Sequence, residues 1–238
     1  MDNPGYIGLT RMKGLSEELR VIANNIANAS TTGFRAESVV FAEVLQRAPV
    51  DGGALAMASP RAHVTDSTPG GFTATGGNFD LAIDGPGYFQ VDTPGGPRLT
   101  RAGAFATGPD GDMLTPDGHR LLDTGGSPVA IPPTATSIHI GEDGTISADG
   151  VQVGQIGMFD ANPQDLLRES GVLFKFGNAP APAADSRMMQ GFVEQSNVNP
   201  ITELARMIDV QRAYELGQSF LDLEDTRIRE AVRTLGQT

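Results

Sequence analysis

Three histidines and several paired acids are the side chains that could do chemistry here. His63, His119 and His139 lie far apart, and none has the HxxxH spacing that puts two imidazoles on one helix face for zinc. Each reads as a surface or strand residue. Asp110 and Asp112 flank Gly111, and Glu142-Asp143 precede Gly144, which imitates the opening of a calcium loop. The further oxygen ligands and the closing glutamate of such a loop are missing, and turn formation accounts for these acids. Gly85-Pro86-Gly87 follows a strand pattern but lacks a third glycine at the right offset and opens no helix, so it is not a dinucleotide fingerprint. Neither a GxSxG elbow nor a phosphate loop occurs, and the 29 acids single out no pair for general acid–base work. With no cysteine, disulfides, thiolate metal sites and a cysteine nucleophile are excluded. The expectation is a non-enzyme with no catalytic, cofactor-binding or metal-binding residues.

Composition narrows the class further. The chain has 238 residues, 39% of them hydrophobic and 19% charged, enough apolar material for a packed core. Net charge is −12, which disfavours nucleic acid and anionic lipid as partners. The charge is uneven: residues 1–48 carry 5 basic and 5 acidic side chains, residues 49–190 carry 7 and 16, and residues 191–238 carry 5 and 8. The start, MDNPGYIGLTRMKG, lacks the basic-then-apolar order of a secretory signal, and no apolar run approaches the ~20 residues of a membrane helix.

Glycine and proline then divide the chain. Of 30 glycines 23 fall in 49–190, as do 14 of 16 prolines, so long helices are confined to the two ends. Near the N-terminus Met12, Leu15, Leu19, Ile22 and Ile26 recur at helical spacing, predicting a helix over about 6–28 and a turn at 29–33. Near the C-terminus Asn199-Pro200 is a helix start, and the next 35 residues hold one glycine and no proline. Ile201, Leu204 and Ile208 make one apolar seam there; Met207, Val210, Tyr214 and Leu221 make another, extended by Ile228, Val232 and Leu235. Such a helix, roughly 50 Å long, exceeds what a small domain buries alone, so coiled-coil or intersubunit packing is expected. The middle reads as β: FDLAID (79–84) alternates, and Asp-Gly pairs at 110–111, 117–118, 143–144 and 149–150 sit between short apolar runs as hairpin turns. The fold class is α+β, with discontinuous terminal helices forming a coiled-coil-like domain around a central, mainly antiparallel β domain. The expected division is 1–35 (helix and turn), 36–78 (extended link or short β region), 79–190 (β domain) and 191–238 (long helix).

Several stretches together resemble one family. VIANNIANASTTGFR (21–35), FDLAIDGPGYFQV (79–91), RLTRAGAF (98–105), GFVEQSNVNPI (191–201) and MIDVQRAYE (207–215) occur in the order seen in the flagellar rod and hook family of axial proteins. The resemblance covers residues 21 to 215. The Met-Asp opening, the short chain and the tail QSFLDLED…VRTLG are most similar to the proximal-rod members, with the distal-rod members as runner-up. One departure is Val172 within LLRESGVLF (166–174), where the family often carries Asn. The resemblance implies a structural subunit of the rod in the periplasm. It implies export unfolded through the flagellar type III system without a cleaved signal, and partners that are self-copies, other proximal-rod subunits, the distal rod and the export apparatus. It also implies that the terminal helices form the inner tube, with no nucleic acid bound and no direct membrane insertion. A secreted acidic β module binding sugar or calcium through its Asp-Gly loops is the alternative from a different class.

Two apolar-striped helices at opposite ends of a chain satisfy each other only by meeting in space or by meeting copies. The candidate assembly interface is Leu15, Leu19, Ile22, Ile26, Leu204, Met207, Ile208 and Tyr214, with Gln211 and Arg212 reaching a neighbour. On this reading Ile22→Asp blocks assembly. Asn24, Asn25 and Asn28 admit two readings, lateral hydrogen bonds that fix register between subunits or helix fraying with a cap; the resemblance favours register. Gly33 is expected to supply a positive-φ turn and Phe34 an anchor beyond it, while Asn197, Asn199 and Pro200 break the chain between sheet and helix.

Overall fold

The computed structural model describes residues 3–47 and 54–235, so the Met-Asp opening and Gly236 of the tail lie outside the described residues. The elements form two units. One comprises residues 1–27, 36–66 and 199–238, the other residues 28–35 and 67–198.

The first unit is built on two helices, α1 (Asn3–Ala27) and α2 (Pro200–Leu235), packed on each other. α1 ends where the sequence turns polar: Asn28 accepts from the Thr31 backbone N–H at 3.0 Å, and its side chain accepts from the Thr31 hydroxyl at 3.1 Å. α2 begins at the expected proline. Asn199 Oδ1 accepts from the N–H groups of Ile201 (3.0 Å) and Thr202 (3.3 Å), so the asparagine caps two donors that the first turn leaves unpaired. At 36 residues α2 runs roughly 54 Å.

The segment expected as an extended link or short β region (36–78) holds, over most of its length, a long antiparallel hairpin. Strand β1 (Glu37–Arg47) pairs with β2 (Ala54–Thr65), with a register shift at Val40/Phe41, and both strands pack on α1. The sequence hides this hairpin because its strands lack clean alternation.

In the second unit all pairings between strands are antiparallel among the described residues, and the Asp-Gly turns fall where expected. Gly111, Gly118, Gly144 and Gly150 each close a hairpin, and all four have positive φ. Residues 106–107, 113–114 and 120–121 form the meander signalled by the two Pro-Asp-Gly triplets. Leu81, Ile83, Phe89, Val91, Met113 and Leu121 join Ile146 and Ile156 in the main core, with Phe89 and Phe105 packed edge to face at 5.2 Å. Ala82 is as buried as its neighbours, so the 81–84 strand is covered on both faces, where alternation had suggested one.

The acids of these turns are engaged locally. Asp149, itself at φ 50°, accepts from the backbone N–H of Ser137 (2.9 Å) and from the N–H and hydroxyl of Thr136. These bonds, the Ser137 N–H foremost, hold its carboxyl below the ordinary carboxylate range. Asp143 is held low in the same way by the hydroxyl and N–H of Thr145. A depressed folded value means stability that is complete above the unfolded value, about 3.9, and is lost as pH falls through the folded one. Asp149→Asn, which keeps tolerance for positive φ, is expected to lower the thermal midpoint at pH 7. The gap to the parent protein should then close as pH falls from about 4 toward 2; calorimetry across that range checks it.

Candidate functional site

The antiparallel helix pair has a readable register. Asn25 Nδ2 reaches Glu203 at 3.1 Å, Glu18 pairs with Arg206 at 2.7 Å, Met12 lies on Gly217, and Gly8 faces Leu221 so closely that a β-carbon there would come within 2.8 Å of it. Each step down α1 is a step up α2. The face of α2 turned to α1 is the seam of Met207, Val210, Tyr214 and Leu221: Val210 is buried and the other three are half-buried. The seam of Ile201, Leu204 and Ile208 is exposed, at 79%, 53% and 43%.

Several residues expected at an intersubunit surface lie inside the unit instead. Ile22 is 1% exposed, so an aspartate there tests folding rather than assembly. Asn25 is equally buried; its amide donates to the Glu37 carbonyl and accepts from the Glu37 N–H, fixing the end of α1 against the start of β1. Asn28 performs the turn role described above. Leu15, Leu19 and Ile26 are half-buried, and Asn24 is exposed. Gln211 and Arg212 are exposed, whereas Asn199 is the α2 cap. Beside the helix contact, Ile7, Gly8, Leu15, Leu216, Gly217 and Phe220 line an apolar groove of about 540 Å³.

The second unit holds the chain's most concentrated electrostatics, which the sequence reading missed. Glu194, 1% exposed, accepts from two arginines that are also buried. Arg35 meets one carboxylate oxygen at 2.7 Å, and Arg101 meets the other through Nε at 2.8 Å and Nη2 at 2.7 Å. The Gly70 N–H adds a fourth donor at 3.1 Å. Two guanidinium groups on one carboxylate leave an excess positive charge, and main-chain carbonyls meet it: those of Ser67 and Thr68 for Arg35, those of Ile83, Gly85 and Gly87 for Arg101. Arg168 stacks on the rings of Phe34 (4.5 Å) and Phe174 (4.8 Å) and donates to the Arg35 carbonyl at 2.5 Å. Tyr88 lies 5.7 Å from the Arg101 guanidinium, and burial pushes its phenol above the ordinary value.

The node joins pieces that are remote in sequence. The chain passes between its two units at 27/28, 35/36, 66/67 and 198/199. Gly33 N–H donates to the Glu194 carbonyl (2.8 Å), Asn197 N–H to the Phe34 carbonyl (3.3 Å), and the Asn197 amide to the Thr68 carbonyl (2.9 Å). Gly33 has φ 68°, and a β-carbon on it would sit 2.2 Å from the Ala102 nitrogen, so no other residue fits. Gly33 supplies the expected positive-φ turn and Phe34 the expected buried anchor, and both belong with Asn197 to this internal node. The signal for its charged members was present as Arg35, Arg101 and Glu194, charges carried within three of the family motifs.

Comparison with known proteins decides the family. The model described as "Flagella basal body rod protein" matches residues 6–35, that of the "Flagellar hook protein FlgE/F/G D1 domain" residues 82–148, and that of the "Flagellar basal body rod FlgEFG protein C-terminal" residues 189–234. The flagellar basal-body rod protein FlgF of Caulobacter vibrioides is 39% identical, over 100% of this chain and 99% of its own. The FlgF of Mesorhizobium japonicum is 34% identical over 99% of each chain. The rod protein FlgG of Bacillus subtilis is 32% identical over 95% of this chain and 97% of its own. The chain belongs to the flagellar basal-body rod protein family. It is a structural rod subunit of the flagellar basal body, and the FlgF proteins of Caulobacter vibrioides and Mesorhizobium japonicum are more similar to it than the FlgG of Bacillus subtilis is. The three matched regions of this rod protein contain Arg35, Arg101 and Glu194 respectively.

Removing Glu194 leaves two buried guanidinium groups without their carboxylate. Glu194→Ala is expected to cost about 3–5 kcal/mol of stability, measured by urea unfolding. A loss under about 0.5 kcal/mol, the range of ordinary surface substitutions, would show that the three side chains are not energetically coupled.

Proposed function

We propose that this rod protein is a proximal-rod subunit that polymerises through its terminal helices into the axial drive shaft surrounding the export channel. The observation that carries this reading is the apolar surface of α2 that α1 leaves uncovered: Ile201, Leu204, Ile208, Leu216, Leu223 and Val232 are all between 43% and 79% exposed. A helix that displays large aliphatic side chains at helical spacing over its whole length is built to be covered by another helix. The similarity to FlgF relatives supports the proximal position, and the composition supports partners that are neither nucleic acid nor lipid. Among the described residues no helix is long and apolar enough to cross a membrane. The subunit reaches the periplasm through the flagellar export apparatus, without a cleaved signal, and meets other proximal-rod subunits and the distal rod there. Of the earlier set, Leu204, Ile208, Gln211, Arg212 and Asn24 remain on the outside of the helix pair and form the assembly surface.

The test uses positions whose substitution spares the fold. Leu204→Asp with Ile208→Asp is expected to abolish swimming in cells that make only this variant, while the purified protein keeps the helical content and thermal midpoint of the parent. Full motility with the double variant would overturn the helix-mediated assembly. A density map of the basal body then tests the proximal position, which fails if the chain occupies the distal rod.

A further inference from the structure

The main core of the second unit draws almost all of its side chains from the stretch between Leu81 and Ile156. On apolar content alone that stretch would fold as soon as it is made. Among the described residues Met188, 2% exposed, is the one buried member of that core from outside it, and it arrives with the segment 186–198. The same segment completes two ladders. Its strand Arg187–Gln190 pairs with Leu81–Asp84, and its strand Phe192–Glu194 pairs with Phe72–Ala74. Neither of the two earlier strands has another strand in its ladder among the described residues. Leu81, Ala82 and Ile83 are 1% exposed or less, so burying them without Arg187–Gln190 would leave backbone N–H and C=O groups unpaired.

The segment also carries the acid of the charged node. Arg101 is itself buried and donates to the carbonyls of Ile83, Gly85 and Gly87, all inside the 81–156 stretch. Carbonyls solvate a guanidinium without neutralising it, and its counter-charge is Glu194. A core closed from residues 67–185 alone would bury that cation with no anion beside it, which is strongly unfavourable. Other side chains of the segment reach further parts of the unit. Ser186 accepts from the Gly87 N–H at 3.0 Å, in the turn after the 81–84 strand. Gln190 accepts from the Ile140 N–H at 3.0 Å and donates to the Asn78 carbonyl at 2.9 Å.

We propose that residues 186–198 are a clasp without which the second unit does not fold, so that its core, its outer ladders and its charged node form together. The clasp is made after every element it closes, and the unit therefore stays open while residues 1–185 are synthesised. An open chain suits a subunit that is exported unfolded. This last consequence rests on the export route proposed above; the clasp does not.

Refolding of the full chain from urea, with hydrogen-exchange labelling pulsed at successive times, tests the clasp. The amides of Met113 and Val129, bonded to the Val129 and Leu121 carbonyls, report the meander. Those of Gly191 and Gln195, bonded to the Asp80 and Gly71 carbonyls, report the clasp. All four are expected to gain protection together. Protection of Met113 and Val129 ahead of Gly191 and Gln195 overturns the proposal, because the core would then close without its clasp. Met188→Ala supplies a second readout in the full chain. It is expected to slow refolding on the order of tenfold and to change the unfolding rate by less than about twofold, since the clasp is in place when the barrier is crossed. Faster unfolding at an unchanged refolding rate would put the clasp after the barrier and overturn the proposal as well. Neither measurement involves swimming or the rod, so a failure of the export route alone leaves the clasp standing.

Discussion

The order of the second unit depends on one buried carboxylate. Glu194 holds Arg35 and Arg101, which arrive from segments 159 and 93 residues away in sequence. A buried ion pair is a weak source of net stability, because desolvation offsets most of the attraction. It is a strong source of uniqueness. A guanidinium in the interior must find its acceptors, and here each has a specific set of carbonyls and one shared carboxylate. Any misplacement of residues 28–35 or 194–198 strands a charge away from water. The node therefore specifies where residues 28–35 and 194–198 must lie within the second unit.

That arrangement divides the work of the polypeptide between two kinds of force. Non-directional apolar contact holds α1 to α2, and such contact alone tolerates slippage along a heptad pattern. Directional bonds remove that freedom: Asn25 clamps to both ends of the Glu37 peptide and to Glu203, and Glu18 takes Arg206. A polar residue within an apolar seam fixes register at some cost in stability. Here the polar residue fixes the register of the helices within the chain, and the outer seams are left purely aliphatic. An aliphatic outer surface suits contacts that form only after a chain has folded.

The elements that follow local rules were legible in the sequence. α2 announces itself by Asn199-Pro200 and 35 residues without proline; the hairpins announce themselves by Asp-Gly, whose glycine supplies the positive φ the turn needs. The long hairpin of β1 and β2 was not legible, because residues 37–65 carry two prolines and no regular alternation, and it takes its place by packing on α1 rather than by its own pattern. The residues proposed for assembly were legible only in part. Leu204 and Ile208 look like Leu15 and Ile22 in a periodicity plot, and only the packed structure shows that the first pair is exposed and Ile22 covered. The charged node was hidden for a different reason. Its members are distant in sequence, and isolated arginines in apolar motifs carry no local signal of who their partner is.

Asn25 shows why the two readings of a polar residue in a helical seam must be separated by geometry. Its neighbours Asn24 and Asn28 share its type and its motif, yet one faces solvent, one turns the chain and one is buried. Helical spacing explains the difference: successive residues turn by 100°, so a run of asparagines cannot all address the same partner. Asn25 falls on the covered side with Ile22, three residues before it. Asn24 falls on the outer side of the helix. The register of the helix pair is thus set within the chain, while the Ile201/Leu204/Ile208 seam of α2 stays exposed.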